Sequence, residues 1–336
     1  MTANSLLLAV ALSASTALLA RTSVNRPTPA THGGRPIVLL VHGRGFLSRD
    51  SVAFRRQALS ALREGAFRAT GDSLFGDDDL RLVWYADLMD TRRQKMRSAR
   101  ACEAAADSAE TGLSPASILR SLALVASELL DAGATETGAA DARDLAGDLR
   151  FLGDGATRCA AEGRVAAALA RARDEGRPVV IVAHSLGALV AWGHLEHRRT
   201  SAERQLPAVQ RLITLGSPIG SSDLRELLFG DTAVVALPRG VQSWVNVIHE
   251  DDPFAARLLA TDSTTGRWRV LPGISDVMTE HADDDAHDLR GYLRDAGTAR
   301  AVLAAWCEWA ESKTPIAGCA PPGFESPARR PAPWRW

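Results

Sequence analysis

Val179-Val180-Ile181-Val182-Ala183-His184-Ser185-Leu186-Gly187 is the stretch that decides the architecture. Its run of β-branched residues suits a strand buried on both faces, as in a parallel sheet. From Leu186 to about His197 a helix is expected to follow at once. The serine therefore stands at a sharp strand-to-helix turn, which strains its backbone and requires small residues two positions away on each side. Gly187 meets that requirement after the serine. Ala183 stands where glycine is usual, and a methyl group is the smallest departure possible. The string small-x-Ser-x-Gly is common in chains of this length, so its placement between strand and helix carries the weight.

The same alternation extends outward in both directions. Upstream, Ile37-Val38-Leu39-Leu40-Val41 is a second continuous apolar run, ending in His42-Gly43-Arg44-Gly45. A helix is expected from about Val52 to Arg63, with Phe54, Ala58, Leu59 and Leu62 on one face. Leu80 to Tyr85 is expected as the next strand, and Arg164 to Arg173 as the helix before the central strand. Downstream, Leu212-Ile213-Thr214-Leu215 closes in Gly216-Ser217-Pro218, and Trp244-Val245-Asn246-Val247-Ile248 closes in His249-Glu250-Asp251-Asp252-Pro253. Helices are expected at Leu289 to Asp295 and Ala299 to Ala310. Strands alternating with helices predict an α/β fold with a mostly parallel central sheet flanked by helices. Residues 86–156 break the pattern. They are rich in Ala, Arg, Glu and Asp, and Ser114-Pro115 starts a helix with Ile118, Leu122, Val125 and Leu129 at helical spacing. This is expected to be a helical insertion, serving either as scaffold or as a cap over a cleft.

The chain has 336 residues, 46% hydrophobic and 24% charged, with net charge −1. A large buried core is therefore within reach, and no basic stripe marks a nucleic-acid partner. Leu6 to Ala20 is an apolar, small-residue run followed by Arg21, which fits a secretory signal peptide over 1–24 with cleavage near Ala17 or Ala20. No Lys or Arg precedes the run; an uncleaved membrane anchor and an ordinary N-terminal helix are the alternatives. Residues 25–35 are a linker, 36–312 the folded domain, and 313–336 a Pro- and Arg-rich tail. An exported chain is expected to lie in the cell envelope or outside it. There, Cys102, Cys159, Cys307 and Cys319 allow two disulfides, and neighbourhood favours Cys102–Cys159 and Cys307–Cys319 without excluding the other pairings. Unpaired, partly buried thiols are the other reading.

Three segments carry a resemblance: Val41-His42-Gly43-Arg44-Gly45, Ala183-His184-Ser185-Leu186-Gly187 and Leu215-Gly216-Ser217-Pro218. Together they resemble the α/β-hydrolase superfamily, and more narrowly its bacterial lipase and esterase branch, which includes GPI inositol-deacylase-like proteins. The resemblance spans roughly residues 36–310 and leaves the insertion and the tail unmatched. It implies ester hydrolysis through an acyl-enzyme, with no cofactor, on a small-molecule or lipid ester, and transient contact with a lipid surface. Ser185 is then the nucleophile. An oxyanion hole needs two backbone N–H groups aimed at one point. Leu186 follows the serine and supplies one, and Arg44, in the facing glycine-rich loop, is expected to supply the other.

Serine, then acid, then histidine is the chain order of the triad in this fold. Asp251 and Asp252 both follow a strand; Asp252-Pro253-Phe254-Ala255 is similar to the family's Asp-Pro-Val-Ala segment, so Asp252 is chosen over Asp251. His281 and His287 are the histidines further on. Ala286-His287-Asp288, leading into Leu289-Arg290-Gly291-Tyr292-Leu293, resembles the family's histidine-then-tyrosine segment, which favours His287. His281 is expected to be solvated in an acidic loop, and His42, His184 and His249 to be packing or strand-end residues. Glu280, Asp283, Asp284, Asp285 and Asp288 lack a recognised calcium-ligand spacing, so a solvated acidic loop is preferred to a cation site. Thioesterase, peptidase or acyltransferase chemistry on the same residues, and a non-catalytic binding role for the fold, are the competing readings.

Overall fold

The computed structural model describes residues 34–43, 50–72, 74–89, 151–197, 209–229, 235–259, 271–281 and 285–311. Six strands form one sheet: β1 (Ile37–Val41), β2 (Leu80–Val83), β3 (Val179–His184), β4 (Val209–Leu215), β5 (Trp244–His249) and β6 (Ile274–Thr279). Their order is β2-β1-β3-β4-β5-β6, and every neighbouring pair is parallel. The helices are α1 (Ser51–Thr70), α2 (Ala86–Met89), α3 (Gly155–Asp174), α4 (Leu186–His197), α5 (Ser222–Phe229), α6 (Leu289–Arg294) and α7 (Ala296–Glu311).

Apolar runs form the central strands because each of their side chains meets a core. Ile37, Leu39 and Val41 of β1, with Val179, Ile181 and Ala183 of β3, enter the layer containing α3 and α4. Val38, Leu40, Val180 and Val182 enter the opposite layer, with α1, α6 and α7. Side chains alternate across the sheet with period two, so both faces need an apolar cover. Cys159 on α3 and Cys307 on α7 lie on opposite faces of the sheet and do not pair with each other. Their expected partners, Cys102 and Cys319, lie outside the described residues.

Several elements depart from expectation. α1 runs past Arg63 to Thr70: Asp50 caps its start, accepting the Val52 N–H at 2.8 Å, and Gly71 ends it in the left-handed region with φ 83°. α3 begins at Gly155, well before Arg164, because the Asp154 side chain accepts the Ala156 N–H and caps it there. α5 and β6 are not among the expected elements. β6 is an edge strand with a partly exposed Ser275-Asp276-Val277 centre, so it lacks the continuous apolar run of the inner strands. Of the insertion, α2 and residues 151–156 are described; the signal-peptide region, the linker, Ser114-Pro115 and the tail lie outside the described residues. Among the described residues no helix is long and apolar enough to cross a membrane.

Strand order reverses between β1 and β3. The chain leaves β1 for β2 on one side, then crosses back to β3 on the other. In open parallel sheets the crevice at such a switch, beyond the carboxyl ends of the strands, is where ligands bind. His42-Gly43 leaves β1 there, and Ser185 leaves β3 there.

Candidate active site

Ser185 lies between β3 and α4 with φ 52°, the only non-glycine among the described residues with positive φ. That conformation is strained for an L-residue and is characteristic of functional turns. Its N–H still bonds the Leu215 carbonyl at 3.0 Å, so the turn is tied to β4 as it leaves the sheet. Gly187 allows the helix to start so close to β1: a Cβ there would lie 2.3 Å from the His42 carbonyl oxygen and 2.5 Å from that of Val41.

Three expected residues, far apart in sequence, meet in space. His287 Nε2 lies 2.9 Å from Ser185 Oγ. His287 Nδ1 lies 2.9 Å from both Asp252 oxygens. Since Asp252 is an acceptor, Nδ1 carries the proton and Nε2 is free to accept from the serine hydroxyl. The Asp252 side chain is fully shielded from solvent, whereas the imidazole keeps 17% exposure. The neighbouring candidates separate clearly. Asp251 is exposed, and its N–H donates to His249 Nδ1 at 3.1 Å. His281 is buried rather than solvated: its ring packs 4.4 Å from His249 and 5.0 Å from Tyr292, and its carbonyl accepts from His249 Nε2 at 3.1 Å. Apolar packing under the turn thus removes it from the acidic loop in which its sequence neighbours place it.

Asp252 has further donors. Tyr292 Oη–H donates to Oδ2 at 2.6 Å and the Phe254 N–H to Oδ1 at 2.9 Å. Burial alone would raise the carboxyl pKa. The hydrogen bond and charge of His287, with the donors on Tyr292 and Phe254, outweigh it and lower the pKa. Burial, then the adjacent Asp252 charge, pushes the Tyr292 phenol well above its ordinary value, so it stays a donor. Gly216, with φ 52°, passes directly behind this pair.

His184 and His42 are structural parts of the site. His184 Nε2–H donates to the His287 carbonyl at 2.9 Å, and its ring lies 4.7 Å from that of His287. Burial, with the charge of His287, lowers its pKa to about 3 and keeps it neutral. His42 stacks on Tyr85 at 4.2 Å; its Nδ1–H donates to the Gly43 carbonyl at 2.7 Å and its Nε2 accepts the Tyr85 N–H at 3.2 Å. Burial lowers its pKa to about 4. These bonds fix the shape of the turn after β1.

Leu186 is the first residue of α4, so its N–H has no acceptor within the helix. Arg44 lies outside the described residues, as do Asp283 and Asp284. Of the other acidic-loop residues, the Asp285 carboxylate accepts the His287 N–H at 2.9 Å and shapes the approach to α6, while Asp288 pairs with Arg290 at 3.0 Å. Among the described residues no group of three His, Cys, Asp or Glu side chains is placed to hold a metal ion.

Gly216 and Tyr292 stand out in the sequence only as parts of matched segments, and His184 only as a packing or loop residue. Their roles arise from contacts that no local spacing encodes. The chain matches no protein-family model, no curated protein and no solved structure.

Proposed function

We propose that the chain is a serine hydrolase with the α/β-hydrolase fold, cleaving carboxylic esters through an acyl-enzyme intermediate. The observation that carries this reading is the hydrogen-bonded line Ser185 Oγ–His287 Nε2, His287 Nδ1–Asp252, with the serine held at φ 52° above a switch point of the sheet. The order serine, acid, histidine along the chain agrees with that fold.

His287 Nε2 takes the hydroxyl proton as Ser185 Oγ attacks the ester carbonyl, and the imidazolium returns it to the departing alkoxide. Asp252 holds the tautomer and balances the positive charge on the ring. The developing oxyanion is received by the N–H of Leu186 and that of Arg44, helped by the positive end of α4. Water, activated by the same imidazole, then releases the acid. No step calls for a cofactor or metal. A thioester, amide or acceptor alcohol would use the same atoms, so substrate range is a question for assay. A purely binding role leaves the strained serine and the aligned buried acid without a reason.

Around this centre, export by the 1–24 segment, disulfides through Cys102 and Cys319, and transient contact with a lipid surface are proposed from sequence. A p-nitrophenyl ester series of rising chain length tests the reaction class. Turnover should appear and fall by about 10⁴-fold or more in Ser185→Ala; turnover equal in both proteins would refute the reading. A preference for long acyl chains would make residues 86–156 the candidate cap over a lipid-binding cleft.

A further inference from the structure

We propose that Tyr292 is a positioning residue that locks the Asp252 carboxylate against His287; the proposal rests on the hydrolase reading. The hydroxyl bonds in two directions. It donates to Asp252 Oδ2 at 2.6 Å and accepts the His249 N–H at 3.1 Å. His249 ends β5, and Asp252 lies in the turn that follows. One phenol therefore ties both ends of the acid-bearing turn to α6, the helix that His287 leads into.

Asp252 has each oxygen pinned by one neutral donor, Oδ1 by the Phe254 N–H and Oδ2 by Tyr292. His287 Nδ1 is left equidistant from the two at 2.9 Å. Without the phenol, one side of the carboxylate is free to rotate away. Packing does not explain the hydroxyl. Tyr292 is completely buried, and phenylalanine would fill the same space without needing a partner for a buried O–H. The titratable groups around the Tyr292 phenol and the His287 imidazole are Asp252, His184 from β3, and His281 and Asp285 from the segment before α6; His249 of β5 enters through its backbone N–H.

The sign of the effect follows from charge. A donor on Oδ2 disperses the carboxylate charge that the imidazolium would otherwise feel. Removing it leaves more negative charge facing the imidazolium and should move the acid limb of kcat/KM to higher pH.

Tyr292→Phe is compared with wild type by pH–rate profile, by separate kcat and KM, and by titration of the His287 imidazole in NMR spectra. Expected are a fall in kcat of about tenfold with KM within about twofold, and an upward shift of about half to one pH unit in both the acid limb and the imidazole titration. The second arm replaces tyrosine by 3-fluorotyrosine. The chain has only two tyrosines, so labelled and unlabelled Tyr85→Phe protein are compared, which confines the label to Tyr292. A more acidic phenol donates more strongly, so the limb should move the opposite way, and this arm decides the matter if Tyr292→Phe does not fold. Limbs and titration unmoved in both arms, with only thermal stability changed, would overturn the proposal. Wild type without Ser185-dependent turnover would sink the hydrolase reading instead, while the imidazole titration would still decide the role of Tyr292.

Discussion

Gly216→Ala tests whether the spacing behind the acid matters. A Cβ at Gly216 would lie 2.5 Å from Asp252 Oδ2, 3.1 Å from His287 Nδ1 and 3.1 Å from Tyr292 Cε2. The first distance is roughly 0.8 Å inside the closest ordinary C···O approach of about 3.3 Å. Relief requires the carboxylate to shift by most of an ångström, away from bonds to His287, Tyr292 and Phe254. A misplacement of about 1 Å costs about 10²-fold, and losing the carboxylate's function altogether costs about 10⁴-fold. The variant should therefore lose between about 10² and 10⁴ in kcat, with a smaller change in KM. The φ of 52° adds strain of about 1–2 kcal/mol for any L-residue, lowering the thermal midpoint by a few degrees. Gly176→Ala separates the two effects. Gly176 has φ 64°, and a Cβ there meets nothing within 4 Å, so it incurs the backbone strain alone. It should lose similar stability and keep full activity in the same ester assay. Gly216→Ala with wild-type kcat would refute the assignment of Asp252 as the orienting carboxylate.

Further outcomes follow from the same geometry. Asp252→Asn should lower kcat by about 10⁴-fold by favouring the wrong imidazole tautomer, whereas Asp251→Asn should stay within about twofold in the same steady-state comparison. Stability should decline on acidification because His42 and His184 are buried neutral. Their folded pKa values of about 4 and about 3 lie below the ordinary 6.5, so the unfolded chain binds more protons in that window. Stability is then full above about 6.5, falls by about 1.4 kcal/mol per pH unit for each histidine as pH drops, and levels off below the folded values. Urea unfolding at a series of pH values should show this slope, reduced in His184→Gln. Asn246→Ala should cost about 1–3 kcal/mol in urea unfolding, because Asn246 bonds the Thr214 hydroxyl, the Ala256 carbonyl and Asp276 across the sheet.

The parts legible in sequence were those encoded locally. β1 and β3 announce themselves as unbroken apolar runs because both of their faces are covered, and α4 begins where the strained serine turn requires it. β6 was hidden because Asp276 in its centre looks like a loop residue. In the fold that carboxylate accepts Asn246 Nδ2 at 2.9 Å and the N–H groups of Leu258 and Leu259, anchoring the segment that follows the acid. Asp252 and His287 were reachable through chain order and segment likeness. Choosing Asp252 over Asp251 physically needed the burial that separates adjacent carboxylates. Tyr292, Gly216 and the His184 bond to the His287 carbonyl depend on contacts across 36 to 103 residues, beyond any local pattern.

The most direct test of the central claim is a fluorophosphonate probe applied to wild type and Ser185→Ala, read by intact mass and by mapping the modified peptide. One adduct on Ser185 in wild type and none in the variant is the predicted result. Equal labelling of both proteins, or an adduct on another residue, would contradict the account.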